Sequence, residues 1–209
     1  MELRWLCFSD LHFKFKNFKT ILLRDSLKKY LLGIDKSTAF ILIAGDLSYK
    51  GESDAELINY IHEIAKISNC INENIFITPG NHDLIRSDDR TDTVKKCVKD
   101  SKENNSMKLK DNRLNLLLSD FQPFNEFKSY FDENNGLRSC SLIERDDFRI
   151  LNINTCLFCY GDEDEGNLYI CNDELAHCCS NIINDNKLNI ALMHHGINWF
   201  NVNEKRNIQ

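Results

Sequence analysis

The sequence predicts an α/β fold on three observations: short apolar runs that read as buried strands, stretches of helical period between them, and polar residues at the carboxyl end of each run. The clearest run is Ala39–Asp46, A-F-I-L-I-A-G-D, which is too short for a free-standing helix and rich in Ile. That is the pattern of a parallel strand covered on both faces. It stops on Gly45 and Asp46, and open α/β sheets bind ligands outside the carboxyl ends of their strands, so this carboxylate is placed for chemistry. Gly45 lets the backbone turn closely there. Leu3–Phe8 runs into S-D-L-H, Asn74–Thr78 into P-G-N-H-D, and Leu188–Met193 into H-H-G. Strands that each deliver Asp, His or Asn at the tip are what one site assembled from several parallel strands requires.

The elements follow in order. Asn17–Ile34 carries apolar residues at Phe18, Ile21, Leu22, Leu27, Tyr30 and Leu31, which predicts a helix with one buried stripe and a stop at Gly33. It links the first strand to Ala39–Asp46 as a β-α-β unit with a right-handed crossover. Ser53 reads as an N-cap with Glu56 as its capping-box partner. The helix that follows, to about Ser68, buries Leu57, Ile58, Ile61, Ile64 and Ala65 and completes a second β-α-β unit; its His62 is expected at the surface or in packing. Residues 87–136 break the pattern with a polar stretch and then a helix interrupted at Pro123, so this segment is expected to be a helical insertion, either capping the site or standing as a solvated helical hairpin with no substrate role. Ser139–Arg145 and Phe148–Asn154 alternate around Asp146 and Asp147 as a β-hairpin whose second strand ends in N-x-N-T. Gly161–Gly166 holds an acidic D-E-D-E loop whose spacing does not fit an EF-hand, which predicts a solvated loop. Asn172–Ile183 reads as a short helix.

With 209 residues the chain buries a substantial core as one domain with insertions. A net charge of -6 gives no electrostatic footprint for non-specific duplex binding, although bound cations would supply local positive charge. The amino terminus lacks an apolar signal region and no run is long enough to span a bilayer, so a cytoplasmic protein without membrane contact is expected. Nine cysteines without a signal peptide read as reduced thiols. Cys156-x-x-Cys159, followed by Cys171, Cys178 and Cys179, is metal-like, but a zinc knuckle requires a second C-x-x-C pair with a turn glycine, so buried thiols are the expectation.

Collected, the tips offer Asp10, His12, Asp46, Asn81, His82 and His194. Carboxylate, imidazole and amide oxygen together suit Mn, Fe or Zn, because imidazole is a borderline ligand. Asp10 and His12 lie on one side of an extended strand end and can chelate one ion. A carboxylate such as Asp46 has two oxygens and can bridge two.

S-D-L-H at 9–12, G-D-L-S at 45–48, G-N-H-D at 80–83 and L-M-H-H at 192–195 together resemble the successive motifs of the calcineurin-like metallophosphoesterases, in the same order and strand context. The resemblance implies a four-layer αββα sandwich with mixed sheets and a dinuclear centre at the strand ends. By it, Asp10 and His12 hold the first of two divalent ions, with Mn preferred over Fe or Zn. Asp46 bridges, and Asn81 and His194 hold the second. His82 binds no metal and approaches the substrate phosphate. Asn81 also faces substrate, and His195 reaches either substrate or the residues behind the metal ligands. Arg86 and Lys50 lie just beyond the motifs, where they either contact phosphate or stand as solvated surface charges. The implied reaction is hydrolysis of a phosphodiester in a nucleic acid or nucleotide. The alternative is a degenerate binding or scaffold module without turnover. The family normally adds a G-H-x-H motif after the position of His194, and none occurs before Gln209. The resemblance to bacterial phosphoesterase domains at the amino terminus of larger multidomain proteins therefore leads us to expect that 1–209 is the front part of a longer signalling or defence protein. Tyr49 and Asp83 stand where the Ser/Thr phosphatases of this superfamily carry Asp and Glu, which argues against a close relative of those enzymes.

Overall fold

The computed structural model describes residues 3–13, 18–34, 36–47, 55–104, 109, 111–132, 136–161 and 163–208. Ser53, Tyr49 and Lys50, singled out above, lie outside these residues. Two three-stranded sheets are present. In the first, β1 (Trp5–Phe8), β2 (Phe40–Ala44) and β3 (Ile75–Thr78) run parallel with β2 in the centre. Its crossovers are α1 (Phe18–Leu32) and α2 (Ala55–Ile67). In the second, β4 (Cys140–Glu144) and β5 (Phe148–Ile153) form the expected antiparallel hairpin, and β6 (Leu188–Leu192) adds parallel to β5.

The two sheets meet face to face because each turns an apolar face toward the other. Phe40, Leu42 and Phe76 of the first sheet share one buried cluster with Phe148, Ile150 and Leu192 of the second, and the Phe148 ring lies 4.4 Å from Phe40. Each such side chain contributes about 1.5–3 kcal/mol of burial. Two hydrogen bonds set the register between the sheets: Asn152 Nδ2 donates to the Ile77 carbonyl at 2.9 Å, and Thr78 Oγ1 to that of Ile153 at 3.2 Å. The opposite face of β2 and β3 shares the main core with Leu57, Tyr60, Ile61 and Ile64 of α2. On the far side of the second sheet, α6 (Asn172–Ser180) packs against β4. The order is helix, sheet, sheet, helix.

Several expectations change. In α1 only Leu31 is buried, and Phe18, Ile21, Leu22 and Tyr30 are exposed. The helix packs on α2 and is tied down by its polar residues: Arg24 donates to the Phe13 carbonyl at 2.8 Å and Lys28 pairs with Glu63. β6, read as a buried run, lies at a sheet edge with Leu188 38% exposed. Pro123 begins a helix rather than interrupting one: α4 (Asp111–Ser119) ends before it and α5 (Gln122–Lys128) opens with it. A proline fits there because the first turn of a helix leaves its N–H groups unbonded anyway. Asp164 of the acidic loop is buried, not solvated, and closes the loop by accepting the Tyr160 and Gly161 amides. His62, expected at the surface or in packing, stacks on Phe131 at 4.9 Å.

The described helices of 87–136 reach into the main core. Val94 and Cys97 of α3 (Asp88–Asn104), Leu117 of α4, and Phe121, Phe124 and Phe127 are buried there. Arg90 locks them in place. Its guanidinium, with no side-chain exposure, donates to the carbonyls of Cys156, Leu157, Cys159 and Leu117 and pairs with Asp120 at 2.8 Å.

Beyond the strands, backbone pairing continues into the tips: Asp10 N–H donates to the Gly45 carbonyl, His12 to Asp46 and Phe13 to Leu47, at 2.8–3.0 Å. The β2 and β3 tips touch through two glycines. A Cβ on Gly45, whose φ is +82°, would lie 2.4 Å from Gly80 N, and one on Gly80 would lie 2.1 Å from Asp46 Oδ1.

Three outcomes are expected. Gly80→Ala displaces the Asp46 carboxylate, seen as a lower melting temperature together with loss of metal binding. Arg90→Met leaves Asp120 and the turn carbonyls without their donor and lowers stability by about 3 kcal/mol in urea unfolding. The third concerns pH. Hydrogen bonds from Arg149 hold the Asp185 carboxyl down, from 3.8 to about 2. The folded chain thus binds that proton less readily than the unfolded one, so this stabilisation is complete above about pH 4 and is lost as pH falls to about 2. Asp185→Asn flattens the stability profile across that window.

Candidate metal centre

The predicted tip residues converge on Asp46, which is 3% exposed. Its Oδ1 accepts the His82 N–H at 2.9 Å. Its Oδ2 faces two imidazoles at once, His194 Nε2 at 3.6 Å and His12 Nε2 at 3.9 Å. Ligand atoms of Asp10, His12 and Asp46 all lie within 4.8 Å of one another. Asn81 joins through His194, with its Oδ1 3.2 Å from His194 Nε2. Asp10 and His12 from the β1 tip, Asn81 and His82 from the β3 tip and His194 from the β6 tip, in two different sheets, therefore gather around the Asp46 carboxylate at the β2 tip.

His194 shows how the donor set is prepared. Its Nδ1 lies 2.7 Å from the Ala44 carbonyl oxygen, which can only accept, so Nδ1 carries the proton. In the neutral ring the Nε2 lone pair then faces the Asp46 oxygen. A lone pair facing a carboxylate is repulsive unless a cation lies between them, and a backbone carbonyl on the other ring nitrogen is the usual way a metal-binding histidine is oriented. The donors thus fit a cation centre: the carboxylates of Asp10 and Asp46, the imidazoles of His12 and His194 and the Asn81 amide oxygen.

The backbone here is strained. Asp10, His12 and Asp46 have φ of +55°, +38° and +54°, a region that L side chains seldom adopt. Such strain persists where surrounding bonds over-determine it, and it concentrates at functional sites. The bonds that do so are the tip ladder described above and Asp83, fully buried, whose carboxylate accepts the Leu47 amide at 3.1 Å and the Gly80 amide at 2.9 Å. Asp83 was legible only as part of G-N-H-D; that it braces two tips depends on their being neighbours.

The other predicted site residues are distributed as follows. The His82 ring is half-buried and meets His12 edge-on at 5.3 Å. Arg86 is exposed, and its Nη2 donates to the Asn81 carbonyl at 3.3 Å. His195 is 3% exposed and packs between His194 and Trp199. Its backbone N–H donates to Thr155 Oγ1 at 3.1 Å, and the same hydroxyl lies 3.1 Å from its Nδ1. Burial, and then the neighbouring His194, push the His195 imidazole down to about 3, so it is neutral near pH 7. Thr155 is a contact that sequence reading missed, although the polar N-x-N-T strand end marks its position.

A profile of the family described as calcineurin-like phosphoesterase matches residues 3–208. The chain is also 28% identical, over 221 aligned positions, to an uncharacterized metallophosphoesterase-like protein, YydB, of Bacillus subtilis (strain 168). That alignment covers 100% of this chain and 46% of the relative, so the chain spans under half of the relative's length. Among the described residues, no helix is long and apolar enough to cross a membrane. With the profile running almost from end to end, and with its strand tips gathered around one carboxylate, the chain belongs to the calcineurin-like phosphoesterase family.

Proposed function

We propose that the chain is the hydrolytic domain of a larger protein and cleaves a phosphodiester, in a nucleic-acid strand or a nucleotide, using two divalent cations. The observation that carries this reading is the shared Asp46 Oδ2, faced by one imidazole from the β1 tip and another from the β6 tip. Asp10 and His12 would hold one cation, Asn81 and His194 the other, and Asp46 both. Bound there, Mn, Fe or Zn ions supply Lewis acidity toward the phosphoryl group and a nucleophile near neutral pH.

The chain's own residues supply placement and proton transfer. His82 has its backbone anchored on Asp46 Oδ1, which leaves the imidazole at the rim of the site. There it serves the phosphoryl oxygens and protonates the leaving oxygen, a role for which an imidazole is suited. Arg86 steadies the Asn81 backbone and offers further guanidinium donors to a phosphate. His195 is too buried to reach substrate as it stands and acts by packing against His194. Residues 1–209 are read as one phosphoesterase domain with a helical insertion at 87–136, amino-terminal to further domains; the greater length of the Bacillus relative supports this.

The test is Mn-dependent cleavage of bis(p-nitrophenyl) phosphate compared with the monoester, by the wild-type chain and two variants. Diester cleavage should exceed monoester cleavage. Asp46→Asn should abolish it, and His82→Ala should lower kcat by about 10²–10⁴-fold, the range of general acid–base catalysis. Equal rates in all three proteins would leave no catalytic role for this centre, and a preference for the monoester would remove the diesterase assignment.

A further inference from the structure

Beside the centre just described lies a second cluster that the phosphoesterase chemistry does not use. Cys156, Cys159 and His195 offer ligand atoms that all lie within 4.8 Å of one another, and all three residues are buried. We propose that these residues form a separate site for a thiophilic d¹⁰ cation of the zinc class, a structural ion joining the β5 tip to the β6 tip. This site rests on its own geometry and stands or falls independently of the hydrolytic reading.

Distances support it. A tetrahedral ion with Zn–S of about 2.3 Å and Zn–N of about 2.05 Å sets sulfur and nitrogen about 3.6 Å apart. Cys156 Sγ and His195 Nδ1 are 3.7 Å apart. Cys159 N–H donates to the Cys156 carbonyl at 3.0 Å, a turn that brings the two cysteines of the C-x-x-C together. The sequence lacks the second C-x-x-C of a zinc knuckle; the fold supplies His195 from another strand instead.

Electrostatics point the same way. Two thiolates, a neutral imidazole and a divalent cation sum to zero, the charge a fully buried centre tolerates best. Arg90 takes up the carbonyls of Cys156, Leu157 and Cys159, so the turn is held from the side of its carbonyls by a buried cation. Thr155 Oγ1 accepts the His195 amide and lies 3.1 Å from His195 Nδ1, the ring nitrogen that also faces Cys156 Sγ, so an ion held at Nδ1 requires the tautomer with its proton on Nε2. That Nε2 is buried without a hydrogen-bond partner among the described residues. Binding exchanges the two thiol protons for the ion. The Cys156 thiol otherwise lies 3.3 Å from the Pro79 carbonyl, and with its proton gone that oxygen turns from acceptor to candidate fourth ligand. Pro79 directly precedes Gly80 and Asn81, so the ion would brace the β3 tip as well.

The probe is Co²⁺ added to the reduced, metal-stripped chain under argon. Thiolate-to-cobalt charge-transfer absorption is expected in the wild type. It should persist in Asp46→Asn, which removes the shared carboxylate of the neighbouring centre, and vanish in Cys156→Ser and Cys159→Ser. Absence of the bands in the wild type overturns the proposal. Bands that survive both cysteine variants assign them to other thiols, such as Cys140, Cys171 and Cys178, and overturn it too. Should the variants fail to fold, zinc-edge X-ray absorption of the zinc-loaded wild type decides: sulfur scatterers at about 2.3 Å are expected, and a shell of only nitrogen and oxygen refutes the site.

Discussion

Contact between the β2 and β3 tips, with no side chain between Gly45 and Gly80, is the constraint on which the centre depends. Because a Cβ on Gly80 would fall on the Asp46 carboxylate, only glycine there lets Asp46 stand where the His82 amide can bind one of its oxygens. The second oxygen is then left to face His12 and His194. Asp83 holds the same two tips from beneath through the Leu47 and Gly80 amides. The strained φ at Asp10, His12 and Asp46 is tolerable because the backbone on either side is fully engaged. Short tips with small residues thus convert a parallel sheet into a rigid mount for polar groups.

The sandwich adds what a single sheet cannot. His194 comes from β6, in the second sheet, yet its Nδ1 is bonded to the Ala44 carbonyl at the end of β2 in the first. That bond has the right length only if the sheets hold their relative register. The Phe40, Phe76 and Phe148 cluster and the Asn152 and Thr78 bonds between β3 and β5 provide it. Packing of the interior and orientation of one imidazole are therefore parts of one arrangement.

Arg90 extends this logic to the helical segment. A guanidinium removed from water is stable only when its donors are satisfied, and four carbonyls and Asp120 do so. The result joins α3, α4 and the Cys156–Cys159 turn into one unit. That turn follows Thr155, which holds His195, the neighbour of His194. The helical segment is thus linked to the strand tips through this chain of contacts.

The strands, the hairpin around Asp146 and Asp147, and the identity of the tip residues were all legible in the sequence, because period, length and turn chemistry are short-range properties. So was the family, since four motifs in order leave little room for another fold. What tertiary structure alone decided was which residues those elements bury. The apolar side chains of α1 stay largely exposed because the helix rests on α2. Arg90 is interior because carbonyls distant in sequence take up its guanidinium, and Asp164 because the Tyr160 and Gly161 amides of its own loop turn to it. His195 turns inward, toward Thr155 and Cys156, although His194 beside it faces Asp46. Adjacent residues at a strand end point to opposite sides, and only the packing of the second sheet determines what lies on each.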